Sequence, residues 1–172
     1  MVALADVPLV APRGALTFLH HRSLALPTGT PPLTALEVWT AMMAQPLPGM
    51  ALAFRLRDAI SACFGVKRIG GFSGAGVDKV AAGDHLDFFL VEEVRPDLLV
   101  LTERDRHLDV MTCLSLEPGC GTGPVVTVTS SVRVHNLFGR LYMLPVGLAH
   151  RVIVALMLRR LPQALAARAS AA

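Results

Sequence analysis

Aromatic residues are scarce in this chain. Phe, Trp and Tyr make up 5% of the 172 residues, with one Trp (Trp39) and one Tyr (Tyr142). Charged residues are few as well, 17%, and the sixteen basic side chains are scattered among thirteen acidic ones. A nucleic-acid surface needs clustered cations and stacking platforms, so a formal charge of +3 does not point to such a partner. Cysteine is limited to Cys63, Cys113 and Cys120, an odd number at spacings that match no zinc pattern. Free thiols in a reducing cytoplasm are the expectation. The N-terminus lacks a basic stretch followed by an apolar run and a cleavage site, so no secretion signal is read. The most apolar region, Leu141–Leu158, is interrupted by His150 and Arg151. A bilayer-spanning helix needs about 20 nearly uncharged residues, so no transmembrane segment is expected.

Several catalytic signatures are missing too. Gly71-Phe72-Ser73-Gly74-Ala75 fails the nucleophile-elbow pattern at its last position. The glycines at 70, 71, 74 and 76 fit neither a dinucleotide fingerprint nor a P-loop. No cofactor and no metal is called for, and His20-His21 reads as a strand end rather than a metal site.

What the chain has is apolar surface: 53% hydrophobic residues and a mean hydropathy of +0.54. Its length suits a single domain that buries a core without disulfides or metal. Such composition fits a two-sided core, a lined cavity, or a face given to a partner.

Residues 1–13 contain prolines and no periodicity, which predicts a loose arm. The single domain spans residues 14–162, and the alanine-rich residues 163–172 read as a frayed tail. Ala15–Leu26 alternates as a first strand. Thr34 and Glu37 form a T-x-x-E capping box, with Leu33 and Val38 placed as a hydrophobic staple. Leu36, Trp39 and Met43 then share one helical face, and Pro46 and Pro48 end it. A second helix is predicted over Met50–Phe64, closed by Gly65. Gly70–Gly76 is read as a loop.

Four strand-like runs follow: His85–Arg95, Leu98–Glu103, His107–Leu116 and Val125–His135. Pro96-Asp97 and Arg104-Asp105-Arg106 are short enough for hairpin turns, which implies sequential antiparallel pairing. On the last run, Thr127, Thr129, Ser131, Arg133 and His135 make a polar face, expected to meet solvent at the threonines. A long apolar helix covers about Phe138–Leu161, with Pro145 either kinking it or marking its start. The fold class is therefore α+β.

The segments LRDAISACFGV (Leu56–Val66), DRHLDV (Asp105–Val110), SSVRVHNLFGRLY (Ser130–Tyr142) and HRVIVALMLRR (His150–Arg160) resemble the domain-of-unknown-function 2867 family. The most specific string is V-x-V-H-N-x-x-G-R-x-Y followed by H-R. That family is similar in fold to the START-like, helix-grip (SRPBCC) superfamily, which implies a curved antiparallel sheet around a long C-terminal helix, with a cavity between them. Some members carry the domain behind a nucleotide-binding Rossmann domain, which is not read in these residues.

Candidate site residues fall into two sets. Phe54, Phe88, Leu90, Val110, Leu114, Val132 and Tyr142 are expected to line the cavity. His107 and Asp109 are expected on one strand face, as an acid/base pair, as two metal ligands short of the three a zinc site needs, or as a hydrogen-bonded strand histidine beside an Asp-capped turn. His107, His135, Arg140 and His150 are expected to converge as a titratable patch suited to a carboxylate or phosphate, or as a network tying helix to sheet. Three functions stay open. The first is binding of a small apolar or amphipathic molecule. The second is an enzyme using His107, Asp109, His135 or Tyr142 for proton transfer. The third is a protein-interaction domain with an exposed apolar face, and a homodimer is left open as well.

Overall fold

A computed structural model describes residues 7–45 and 79–170. The predicted helix over 50–64, the loop over 70–76 and the candidate Phe54 lie outside the described residues.

The first regular strand, β1 (Phe18–Ala25), is followed by helix α1 (Ala35–Met43). The Thr34 hydroxyl accepts the Glu37 N–H at 3.2 Å, and the Glu37 carboxylate accepts the Thr34 N–H at 2.7 Å. Two orphan donors of the first turn are thereby satisfied, as the T-x-x-E spacing predicts. Trp39 stands edge to face with Phe89, ring centroids 6.0 Å apart. The helix start is held to the sheet by Ala35 N–H donating to the Pro96 carbonyl at 2.8 Å.

Then come β2 (His85–Leu86), β3 (Phe89–Arg95), β4 (Leu98–Arg104), β5 (Leu108–Glu117), β6 (Val125–Val134) and the long helix α2 (Leu137–Ala169). The expected single run His85–Arg95 is two strands. Asp87 takes a φ of 54°, a left-handed conformation that Asp tolerates better than most residues. The chain turns there, and β2 and β3 form a hairpin.

The strands make one antiparallel sheet in the order β1-β6-β5-β4-β3-β2. The sequential pairing predicted from turn length holds, and β1 closes on β6 with Phe18 opposite Val132 and His20 opposite Ser130. The fold is α+β, compatible with the helix-grip arrangement.

One sheet face carries the main core. Val91, Leu99, Leu101, Leu114, Val126 and Val128 pack there against Val38 and Met42 of α1 and Val154, Met157, Leu158 and Leu161 of α2. The other face was expected to be solvated at Thr127 and Thr129, yet both are buried, as is Ser131. Residues expected to form a loose arm help to cover it. Val7 packs on Leu98, Val100 and Cys113, and the Val10 N–H donates to the Ser131 hydroxyl at 3.0 Å.

α2 begins at Leu137, with the Asn136 side chain accepting the Gly139 N–H at 2.9 Å. Pro145 lies inside the helix rather than at its start, on the exposed side. There, water can satisfy the Leu141 carbonyl that its missing N–H cannot reach. The helix also continues through the expected tail, past Pro162 to Ala169, with Leu165 packed against the core. By length and composition alone α2 could cross a membrane; in this fold one of its faces is committed to the core.

Candidate functional site

The C-terminal half of α2 packs on α1 and the core face of the sheet, and its N-terminal half crosses the sheet closely at Gly139 and Gly147. Between that half and the sheet lies a cavity of about 110 Å³. Alternation along the strands supplies its floor: Phe18 from β1, Ser130 and Val132 from β6, Leu108 and Val110 from β5, and Glu103 from β4. α2 supplies the roof with Tyr142, Met143, Val146 and His150; Val146 and His150 follow Tyr142 and Met143 at three- and four-residue spacing and so share their face. Phe88, from the β2–β3 turn, and Asp105 and His107, from the β4–β5 turn, also line it.

His107 precedes β5, so the strand pleat does not govern its direction. Its buried ring lies edge to face with Tyr142 at 5.2 Å and near Phe138 at 5.3 Å. Its Nδ1 is 3.5 Å from the Asp105 carboxylate. Gly139 is what lets α2 start this close: a Cβ at that position would overlap the His107 carbonyl oxygen and the Val134 side chain.

His150 occupies the other end of the cavity roof. Its ring meets that of His20 edge to face at 5.6 Å and that of Phe18 at 5.8 Å. Burial, with His20 and Arg151 adding to it, lowers the His150 pKa to about 4. The His20 pKa is lowered in the same way, by burial and then by Arg151 and its neighbours His21 and Arg22. Both rings are thus neutral at neutral pH. Nε2 of His150 and Nδ1 of His20 are buried without a protein hydrogen-bond partner. Arg151 itself turns away to stack on the Phe18 ring at 5.4 Å.

The predicted site residues divide. Phe88, His107, Val110, Val132, Tyr142 and His150 line the cavity. Leu114 is on the same sheet face but is closed within the core. Leu90 pairs with Thr102, which puts it on the face opposite Val91 and away from the cavity. Asp109 is not on a common face with His107. It pairs across the sheet with Arg133, and its carboxylate is 3.1 Å from Nε2 of His135. The expected convergence of His107, His135, Arg140 and His150 is therefore not what the fold builds. The His135 N–H donates to the His107 carbonyl at 2.9 Å, but the two side chains serve different faces. Arg140 is exposed.

Phe18 and Ser130 also line the cavity, and His20 adjoins it through the His150 ring; none of the three is expected there from the sequence. The signal for them is the β1–β6 pairing, since alternation then puts Phe18 and His20 on the face of Ser130 and Val132. Among the described residues no group of His, Cys, Asp and Glu is arranged to hold a metal ion.

Residues 13–157, a span that contains every cavity residue named above, match a family model described as "Protein of unknown function (DUF2867)". The chain belongs to the DUF2867 family. A solved structure of an uncharacterised protein from Rhizobium leguminosarum is similar to it at 14% identity, covering 86% of this chain and 96% of that one, with a TM-score of 0.40. No curated protein matches the chain. The string by which this DUF2867 chain resembles its family now has a structural meaning. Asn136 caps α2, Gly139 permits the close crossing at His107, and Tyr142 covers the His107 ring.

Proposed function

We propose that this DUF2867 domain binds a small, neutral, largely apolar molecule between α2 and the sheet. The observation that carries the reading is Nε2 of His150, buried beside an apolar cavity with no protein partner. Leaving a buried polar atom unpaired costs about 1–3 kcal/mol. A ligand hydroxyl or carbonyl meeting a neutral imidazole would remove that cost.

Charge selects the ligand class. His150 is neutral, and the acidic side chains of the described wall are Glu103 and Asp105. Among the described residues that line the cavity there is no Lys or Arg, which favours a neutral ligand over the anionic head group expected from the sequence. The volume of about 110 Å³ exceeds that of one water, roughly 10–15 Å³ on the same measure. It lies below the ~300–1,000 Å³ of sites for drug-sized ligands. A fragment-sized molecule, or the tip of a longer one, fits.

An enzymatic reading keeps His107, Asp105 and Tyr142 at the wall, whereas Asp109 and His135 face the other side of the sheet. The free thiols of Cys113 and Cys120 suit a reducing cytoplasm.

Native mass spectrometry of the protein purified from cells tests the reading. A retained neutral species, lost in His150→Phe, is the expected result. A retained anion would contradict it.

A further inference from the structure

The exposed side of α2 is apolar as well. Leu137, Leu141, Leu144, Leu148, Val152 and Leu156 are between 38% and 72% exposed. Their spacing of three and four residues sets them in one row, about 28 Å long at 1.5 Å per residue. The opposite side, Val154, Met157, Leu158 and Leu161, belongs to the core. A helix apolar all round is normally covered all round, and a continuous exposed apolar patch marks an interaction surface.

Charge indicates the partner. α2 carries Arg140, Arg151, Arg159, Arg160 and Arg168 and no Asp or Glu. At about 100° per residue, Arg140 and Arg151 lie together along one side of the row and Arg159 extends it, and all three are exposed. The adjoining edge strand β1 adds Arg22 and again no acid. The acids of the described residues lie elsewhere, at Glu37 of α1 and from Asp84 to Glu117 along β2–β5 and their turns.

We propose that α2 docks lengthwise on the surface of an anionic lipid bilayer, its leucines and valine entering the acyl boundary and its arginines meeting headgroup phosphates. Aliphatic side chains bordered by cations are the composition of helices that lie in such an interface. A second copy of the chain fits poorly. A two-fold contact sets a patch against itself, which here opposes arginine to arginine with no acid between them. A protein groove can seat an aliphatic helix ridge, but the wholly basic character of α2, with no Asp or Glu, matches a surface of uniform negative charge. None of the six ridge residues lines the cavity, so the proposal stands apart from the ligand reading.

Flotation of the full chain with vesicles tests it. The chain should float with phosphatidylcholine vesicles containing about a third phosphatidylglycerol, at least roughly tenfold more than with phosphatidylcholine alone, and high salt should weaken the effect. Leu144→Asn with Leu148→Asn should abolish flotation without lowering the melting temperature, since both side chains are solvent-exposed. Arg140→Gln with Arg151→Gln should weaken it. Absence of flotation on phosphatidylglycerol vesicles overturns the proposal, as does undiminished flotation of the Leu144/Leu148 variant. A concentration-dependent dimer in sedimentation that the same variant dissociates would assign the ridge to a second copy and overturn it too.

Discussion

The rings of His20 and His150 meet edge to face with centroids 5.6 Å apart, one carried by the edge strand β1 and the other by α2. Neither buried nitrogen, Nδ1 of His20 nor Nε2 of His150, has a protein hydrogen-bond partner. The pair joins helix to sheet beside the cavity and makes that junction sensitive to protons.

The sign of that sensitivity follows from the lowered pKa. His150 titrates near 4 when folded, against an ordinary value of 6.5, because burial, His20 and Arg151 all disfavour its cation. The unfolded chain therefore takes up the proton first as pH falls. Stability due to the neutral ring is complete above about pH 6.5, declines between 6.5 and 4, and is gone below; the full span is about 3 kcal/mol. His20 acts in the same direction. Urea unfolding across this range should show the loss, and His150→Phe should remove most of the slope. An unchanged slope in that variant would place the titration elsewhere.

Thr34→Ala removes the hydroxyl that accepts the Glu37 N–H. A loss of about 1 kcal/mol is expected, seen as a lower melting temperature. An unaltered melting temperature would reject the capping box as a stabilising element.

Gly139→Ala inserts a methyl group where the His107 carbonyl and Val134 already stand. The helix start must shift, at a cost of about 1–3 kcal/mol. The shift should also disturb the His107–Tyr142 ring contact, which the His107 ring resonances report. Wild-type stability together with unmoved resonances would contradict the close crossing.

Cys113 is buried and its thiol is pushed up to about 12, whereas Cys120 is exposed. Brief treatment with a thiol reagent followed by peptide mapping should label Cys120 and leave Cys113 unmodified until the protein is unfolded. Labelling of Cys113 at the rate of Cys120 would argue against its place under Val7.

Much of this was legible in the sequence, for local reasons. Thr34 and Glu37 announce a helix start by spacing alone, and the two-residue Pro96-Asp97 turn dictates β3–β4 pairing. The sheet–helix plan follows from such signals. What stayed hidden depends on contacts distant in sequence. The β1–β6 pairing joins residues a hundred or more positions apart, so neither the place of Phe18 in the cavity nor the contact of His20 with His150 is visible in the sequence. Asp87 turns the chain inside an apparently continuous strand, which moves Leu90 off the cavity face. His107 escapes the strand alternation by lying just before β5, which separates it from Asp109. That His150 is neutral at neutral pH depends on its burial, which composition does not show.

The central claim is that the cavity takes a neutral molecule through His150, and an NMR titration at neutral pH addresses it directly. 1-Hexanol and hexanoate share an alkyl chain and differ in charge. The account predicts saturable shifts of the His150 ring and of the Val110 and Val132 methyl groups with 1-hexanol, and much weaker ones with hexanoate. Preference for hexanoate, or no saturable shift at these residues with 1-hexanol, would contradict it.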